Sequence, residues 1–257
     1  MKDFAKVGAR PRRSSPGLPQ KGARPTKPFS AREAALFFER LKAGNSDPGT
    51  ELVYSNPFTL LVAVVLSAQA TDKGVNKATE PLFKVVRTPQ QMLRLGEDGL
   101  IPFVKSIGLY RNKARNLVAL SRVLVERHHG KVPDNREELE ALPGVGRKTA
   151  NVVLNEVFGF PTIAVDTHVF RVANRTGLAP GSTPRAVEAK LLSVVPPQFR
   201  GGAHHWLILH GRYVCVARKP HCPHCVVSDL CRYPIKTPDP GSEDRVVPSP
   251  SSRRRPS

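Results

Sequence analysis

Three groups of side chains in this sequence can do chemistry: Lys148, Asp166, and four cysteines crowded between positions 215 and 231. Lys148 follows Leu142-Pro143-Gly144-Val145-Gly146-Arg147. Glycines at 144 and 146 let a main chain turn sharply and approach a ligand closely. A helix opening after them offers free amides and a positive dipole end. That combination cradles a phosphate, so Gly144, Val145, Gly146 and Arg147 are the expected phosphate contacts. Lys148 has two roles open to it. It can pair with phosphate, or it can act as a nucleophile, since a lysine held partly desolvated at a positive helix end beside another cation gives up its proton more readily. Spacing alone leaves both open.

Asp166 follows the apolar lead-in Ile163-Ala164-Val165 and precedes Thr167-His168-Val169-Phe170-Arg171-Val172. It reads as the N-cap of a helix. Capping does not exclude chemistry, because an anion held at a helix end can stabilise positive charge developing on a sugar or help deprotonate an amine.

Cys215, Cys222, Cys225 and Cys231 are the only cysteines, spaced C-x6-C-x2-C-x5-C. Secreted proteins more often spread cysteines as disulfide staples, so the clustering points to a metal or cluster site. Zinc suits four cysteines, but its usual pattern pairs two C-x2-C knuckles across a longer loop. Only Cys222 and Cys225 form such a knuckle, and a compact four-cysteine loop suits a [4Fe–4S] cluster. The spacing favours the cluster, with zinc as rival and a disulfide pair third. Arg212, Arg218 and Lys219 stand in or beside this loop, where they can present charge to phosphates. His168, His204, His205 and His210 have apolar neighbours and read as ordinary partly buried histidines, and Trp206 reads as core.

The elements that must position these residues are helical. Ser30 with Glu33 is a capping box opening a helix through Phe37, Phe38 and Leu41. Pro57 starts an apolar helix through Leu60, Leu61, Val64 and Val65. A further helix runs from about 112 to 129, with Ala114, Leu117, Val118 and Val125 on one side, and ends at Gly130. Residues 137–142 close a short helix. After the glycine turn, Ala150, Val153, Leu154, Val157 and Phe158 recur at the spacing of a buried face. Ser106-Ile107-Gly108-Leu109 makes a similar turn ahead of a helix. Alternation of apolar and polar residues is nowhere sustained, so the expected fold is all-α.

Charge names the partner. Forty Lys and Arg against 21 Asp and Glu leave +19 over 257 residues, with a sequence pI near 10.4. Such an excess calls for an anion, and nucleic acid is the usual one. Residues 1–30 hold eight basic residues against one acidic, and 237–257 hold four against three, which leaves +11 on residues 31–236. The folded part is basic in its own right. Both ends are rich in Pro, Ser, Arg and Gly and are expected to be a disordered basic arm (1–30) and a disordered tail (237–257). No apolar stretch reaches the length a membrane span needs. The start lacks an apolar signal core, and its five prolines, Pro11 to Pro28, oppose the amphipathic helix of a transit peptide. The expected location is the cytosol, with an organelle or the nucleus left open.

Taken in order, these motifs resemble the endonuclease III family of DNA glycosylases over roughly residues 31–236. The carriers are Leu142 to Asn151, Val165 to Val172, His205-Trp206-Leu207-Ile208-Leu209-His210-Gly211-Arg212, and the cysteine loop. The resemblance implies a two-domain helix-hairpin-helix glycosylase fold. A six-helix barrel would occupy 50–160, with the hairpin at about 137–158. An iron–sulfur domain would be built from 31–49 and 161–236, and damaged double-stranded DNA would lie in the cleft of a monomer. It further implies that Lys148 attacks C1′ of a flipped, damaged nucleotide, that the Schiff base undergoes β-elimination, and that Asp166 assists. Oxidised pyrimidines would be the substrates. Gln69 matches the residue that fills the vacated gap, Leu109 matches a second wedge, and Asp72 resembles an acid near the pocket. On the residues alone, Gln69 passes for a capping or core-edge amide and Leu109 for a turn residue. A glycosylase that uses water instead of an amine is the rival enzyme, and Lys148 argues against it. A purely structural DNA-binding module would leave Lys148 and Asp166 idle.

Overall fold

A computed structural model describes residues 27–238. The expected arm and tail lie outside the described residues, save 27–30 and 237–238. Ten α-helices run through the described chain, and it contains no strand. They are α1 (Ala31–Gly44), α2 (Pro57–Ser67), α3 (Asp72–Val85), α4 (Pro89–Val104), α5 (Tyr110–His128), α6 (Arg136–Glu140), α7 (Arg147–Phe158), α8 (Thr167–Thr176), α9 (Pro184–Val194) and α10 (Arg200–Tyr213). Gly96, at φ +68°, breaks α4 into two segments.

Local chemistry sets the helix starts. The Ser30–Glu33 capping box forms in both directions, and a second box between Asn56 and Thr59 spans Pro57. α5 ends on His129 and Gly130, both left-handed. Its inner face differs from the expected one. Leu120 and Leu124 are buried with Lys113, Ala114, Leu117 and Val118, whereas Val125 is only half-buried.

The apolar residues gather into two cores. The first lies among α2 to α7 and is centred on α2, whose residues Phe58 to Leu66 are all buried. A helix apolar on every side belongs at the middle of a core, and truncating a residue such as Leu61 there to Ala costs about 3 kcal/mol. These six helices form the barrel. The second core joins Phe37 and Phe38 of α1 to α8, α9, α10 and the residues around the last cysteines. Trp206 sits within it against Phe38 and Phe199, and its indole N–H donates to the Asn45 carbonyl at 2.8 Å. The chain crosses between the cores twice, before α2 and after α7. The hairpin and Asp166 lie at the second crossing.

Candidate active site and iron–sulfur centre

α6, the turn 141–146 and α7 form the helix-hairpin-helix. Gly144 takes φ +78°, and a Cβ on it would fall 2.8 to 3.1 Å from the Asn116 side chain of α5. Glycine is needed there for both conformation and space. Gly146 is the N-cap of α7, and a Cβ built on it meets nothing within 4 Å. The main chain is therefore open above the α7 N-terminus, where an anion can reach the free amides. Val145 is buried and anchors the turn in the first core.

Arg147 departs from the expectation for its side chain. Its Nε lies 2.8 Å from Glu188 Oε2 and its Nη2 2.9 Å from Oε1, with Glu188 on α9 buried. The Asn151 amide donates to the same carboxylate at 3.1 Å. A buried carboxylate requires such partners, so the guanidinium serves to join the two halves. The Arg147 main-chain N–H, at the first position of α7, has no helical partner.

Lys148 is exposed, and its side chain makes no hydrogen bond or ion pair with any described residue. The partial desolvation expected of it is absent here, because the hairpin opens outward. Asp166 caps α8 as expected: Oδ1 accepts from the His168 and Val169 amides, both at 2.8 Å. Oδ2 takes no hydrogen bond from any described residue. Both charges reach His204 of α10, which Asp166 favours as a cation and Lys148 disfavours. Burial dominates that histidine and pushes its pKa down to about 4. Its Nδ1 lies 2.8 Å from the Ala164 carbonyl. The next residue, His205, meets Glu156 of α7 at 2.5 Å. Burial alone would raise Glu156, but the His205 hydrogen bond and charge hold its pKa below the usual carboxylate value.

Gln69 and Leu109 are both exposed, and both adopt left-handed backbone, with φ +56° and +59°. Non-glycine residues rarely do so, and such strain gathers at functional sites. Leu109 is 60 % exposed, a large apolar side chain left in water on a turn. Asp72 is engaged by Arg212, its Oδ2 lying 2.7 Å from Nη1.

The four cysteines are unpaired and line one cavity at the end of α10. The four sulfurs border that space together. The donor set suits a cluster. Arg175 of α8 reaches Cys215 Sγ at 3.6 Å. Burial pushes the Cys225 thiol up to about 11 and Cys231 upward as well, so a cluster held by the four cysteines would supply the positive charge that thiolates need there.

The sequence reading missed Glu188, Glu156 and Lys113. Lys113 left a trace in the sequence: it shares a helix face with Leu117, Leu120 and Leu124, an apolar row that a cation joins only with partners.

An all-α barrel with a helix-hairpin-helix, joined to a four-cysteine domain, defines the helix-hairpin-helix class of DNA glycosylases with an iron–sulfur centre. A model of the HhH-GPD superfamily of base excision DNA repair proteins matches residues 62–197, and one of the iron–sulfur binding domain of endonuclease III matches 215–231. Endonuclease III of Haemophilus influenzae is 62% identical over 197 residues, covering 77% of this chain and 93% of its own. That of Escherichia coli K12 is 60% identical with the same coverage. A solved structure of a trapped endonuclease III–DNA covalent intermediate has a TM-score of 0.75 at 45% identity, over 79% of this chain and 96% of that one. A thermostable thymine-DNA glycosylase aligns with a TM-score of 0.71 at 25% identity and the same coverage. The chain belongs to the endonuclease III family. It is a DNA-binding glycosylase of base-excision repair with a [4Fe–4S] cluster as cofactor. No described helix is long and apolar enough to cross a membrane.

Proposed function

We propose that this protein is a bifunctional DNA N-glycosylase and AP lyase. It releases oxidised pyrimidines from duplex DNA and cuts 3′ to the abasic site, working as a monomer on the DNA of a bacterial cytoplasm. The observation that carries this reading is the exposed, unpartnered Lys148 in the first turn of α7, immediately beyond an open Gly146. The amides of Gly144, Gly146 and Arg147 hold a backbone phosphate and so deliver the adjoining sugar to the lysine, while the Val145 amide closes the turn on the Leu142 carbonyl at 3.0 Å.

The damaged nucleotide leaves the stack before chemistry, Gln69 and Leu109 occupying the space it vacates. DNA covers Lys148 on binding and supplies the desolvation the free protein lacks. The Lys148 amine forms a bond to C1′ while the C1′–base bond breaks and its electron pair leaves with the base. Asp166 Oδ2, free of the cap, takes the proton the amine loses and opposes positive charge on the sugar. Ring opening gives the Schiff base. Loss of a C2′ proton then expels the 3′ phosphate, and hydrolysis frees the lysine. The relative solved as a trapped covalent intermediate with DNA supports a covalent step. Cys215, Cys222, Cys225 and Cys231 hold the cluster, which ties the chain after α10 into a fixed loop and acts as scaffold.

The test is to incubate the holoenzyme with a duplex carrying one thymine glycol, then add borohydride. The expected result is a covalent adduct that Lys148→Ala abolishes while DNA binding persists. Base release without an adduct would overturn the amine mechanism in favour of attack by water.

A further inference from the structure

Lys113 is a lysine that the chemistry above does not use, and it is only 6 % exposed. Its ammonium donates to the Leu66 carbonyl at 2.9 Å and to the Ala68 carbonyl at 2.6 Å. Leu66 lies in the last turn of α2, where carbonyls lack helical partners and a cation is favoured. Ala68 immediately precedes Gln69, in a turn closed by the Ala70 amide on the Ser67 carbonyl at 3.0 Å. The Lys113 main-chain amide meanwhile donates to the Leu109 carbonyl at 3.1 Å. The main-chain bond is the first helical bond of α5, so the Lys113 side chain ties the Gln69 turn to the same helix turn that Leu109 caps.

We propose that Lys113 is the positioning residue that sets the Gln69 and Leu109 loops relative to each other, so that both enter the duplex as a nucleotide is extruded. This rests on the reading of those two residues as wedges. A neutral side chain of similar length can fill the volume but cannot hold the two carbonyls. The Gln69 turn would then be tied to α5 by packing alone, and the pair of wedges would lose its fixed spacing. Extrusion suffers before chemistry does. Once the nucleotide is out of the stack, Lys148 and the hairpin, which Lys113 does not touch, act as before.

The test compares excision of one lesion in two settings, paired within a duplex and placed in a short unpaired bubble that needs little extrusion. The ratio of the two rates is read within one preparation of holoenzyme, so partial loss of folded protein cancels. For Lys113→Met the paired lesion is expected to be excised about tenfold more slowly and the unpaired one within about twofold of the unaltered protein. Should Lys113→Met not fold, Lys113→Gln, whose shorter amide cannot reach both carbonyls, carries the same comparison. An unchanged ratio, or an equal loss on both substrates, overturns the assignment. Gln69→Ala and Leu109→Ala run alongside. If they lower the ratio and Lys113→Met does not, the Lys113 inference alone fails. If neither changes it, the wedge reading fails and takes the Lys113 role with it.

Discussion

Arg147 and Glu188 meet in a two-pronged ion pair across the two halves of the molecule, Nε to Oε2 at 2.8 Å and Nη2 to Oε1 at 2.9 Å. The carboxylate is buried while the guanidinium remains about a third exposed. The pair sits one residue before Lys148, so it also sets the direction in which α7 presents that lysine.

Removing the arginine strands a buried carboxylate. Arg147→Ala should cost about 2 kcal/mol, discounted for the exposure of the arginine, and lower Tm by about 5 °C. Arg147→Lys should recover only part of this, because an ammonium cannot offer the parallel fork. The dependence of DNA affinity on salt should barely change in Arg147→Ala. A side chain that contacted phosphate would lower the slope by about 1, and calorimetry with binding titrations at several salt concentrations separates the two.

The two hairpin glycines should fail differently. Gly144→Ala places a Cβ at positive φ against Asn116 and should destabilise the protein by about 2 kcal/mol. Gly146→Ala has open space and should cost no more than about 1 kcal/mol as a weaker cap. Its methyl group lies where a phosphate must approach, so DNA affinity should fall with stability nearly intact. Denaturation midpoints measured beside Kd make the comparison.

Asp166 combines a cap and a free oxygen. Asn caps as well as Asp, so Asp166→Asn should stay within about 0.5 kcal/mol of the unaltered protein while turnover falls about 10²-fold. Asp166→Ala should lose the same rate and about 1 kcal/mol of stability. An Asn variant at full turnover would reduce Asp166 to a helix cap.

Buried His204, with its pKa pushed down to about 4, predicts a pH dependence of stability. Between about 6.5 and 4 the unfolded chain binds a proton that the folded chain refuses. The contribution is thus complete above pH 6.5 and falls as pH drops through that window, by at most about 1.4 kcal/mol per unit. From pH 7 to pH 5 the share of His204 in the loss should be about 2 kcal/mol, read as the difference in urea-midpoint shift between the unaltered protein and a His204 variant. His204→Gln should remove this share and leave that of His210, whose pKa burial also pushes down to about 4.

Local chemistry is readable along a chain, and the elements near the site show how far that reaches. The capping box at Ser30, Pro57 at a helix start, Asp166 as a cap and the Gly144 turn all form from interactions among residues a few places apart. The helical class, the hairpin and the cysteine loop followed from such short spacings, and so did Lys148 and Asp166 as candidates. Tertiary structure decided what those side chains meet. Arg147 reads as a free cation beside the hairpin, yet it bonds Glu188 forty-one residues later. Lys113 falls on the apolar row of α5, but the partners that let a cation stand there lie forty-five and forty-seven residues away. Lys148, expected to be partly desolvated, is exposed. The reason is physical. Secondary structure depends on neighbours in sequence, whereas desolvation and ion pairing depend on which distant surfaces the two cores bring together, and no periodicity encodes those.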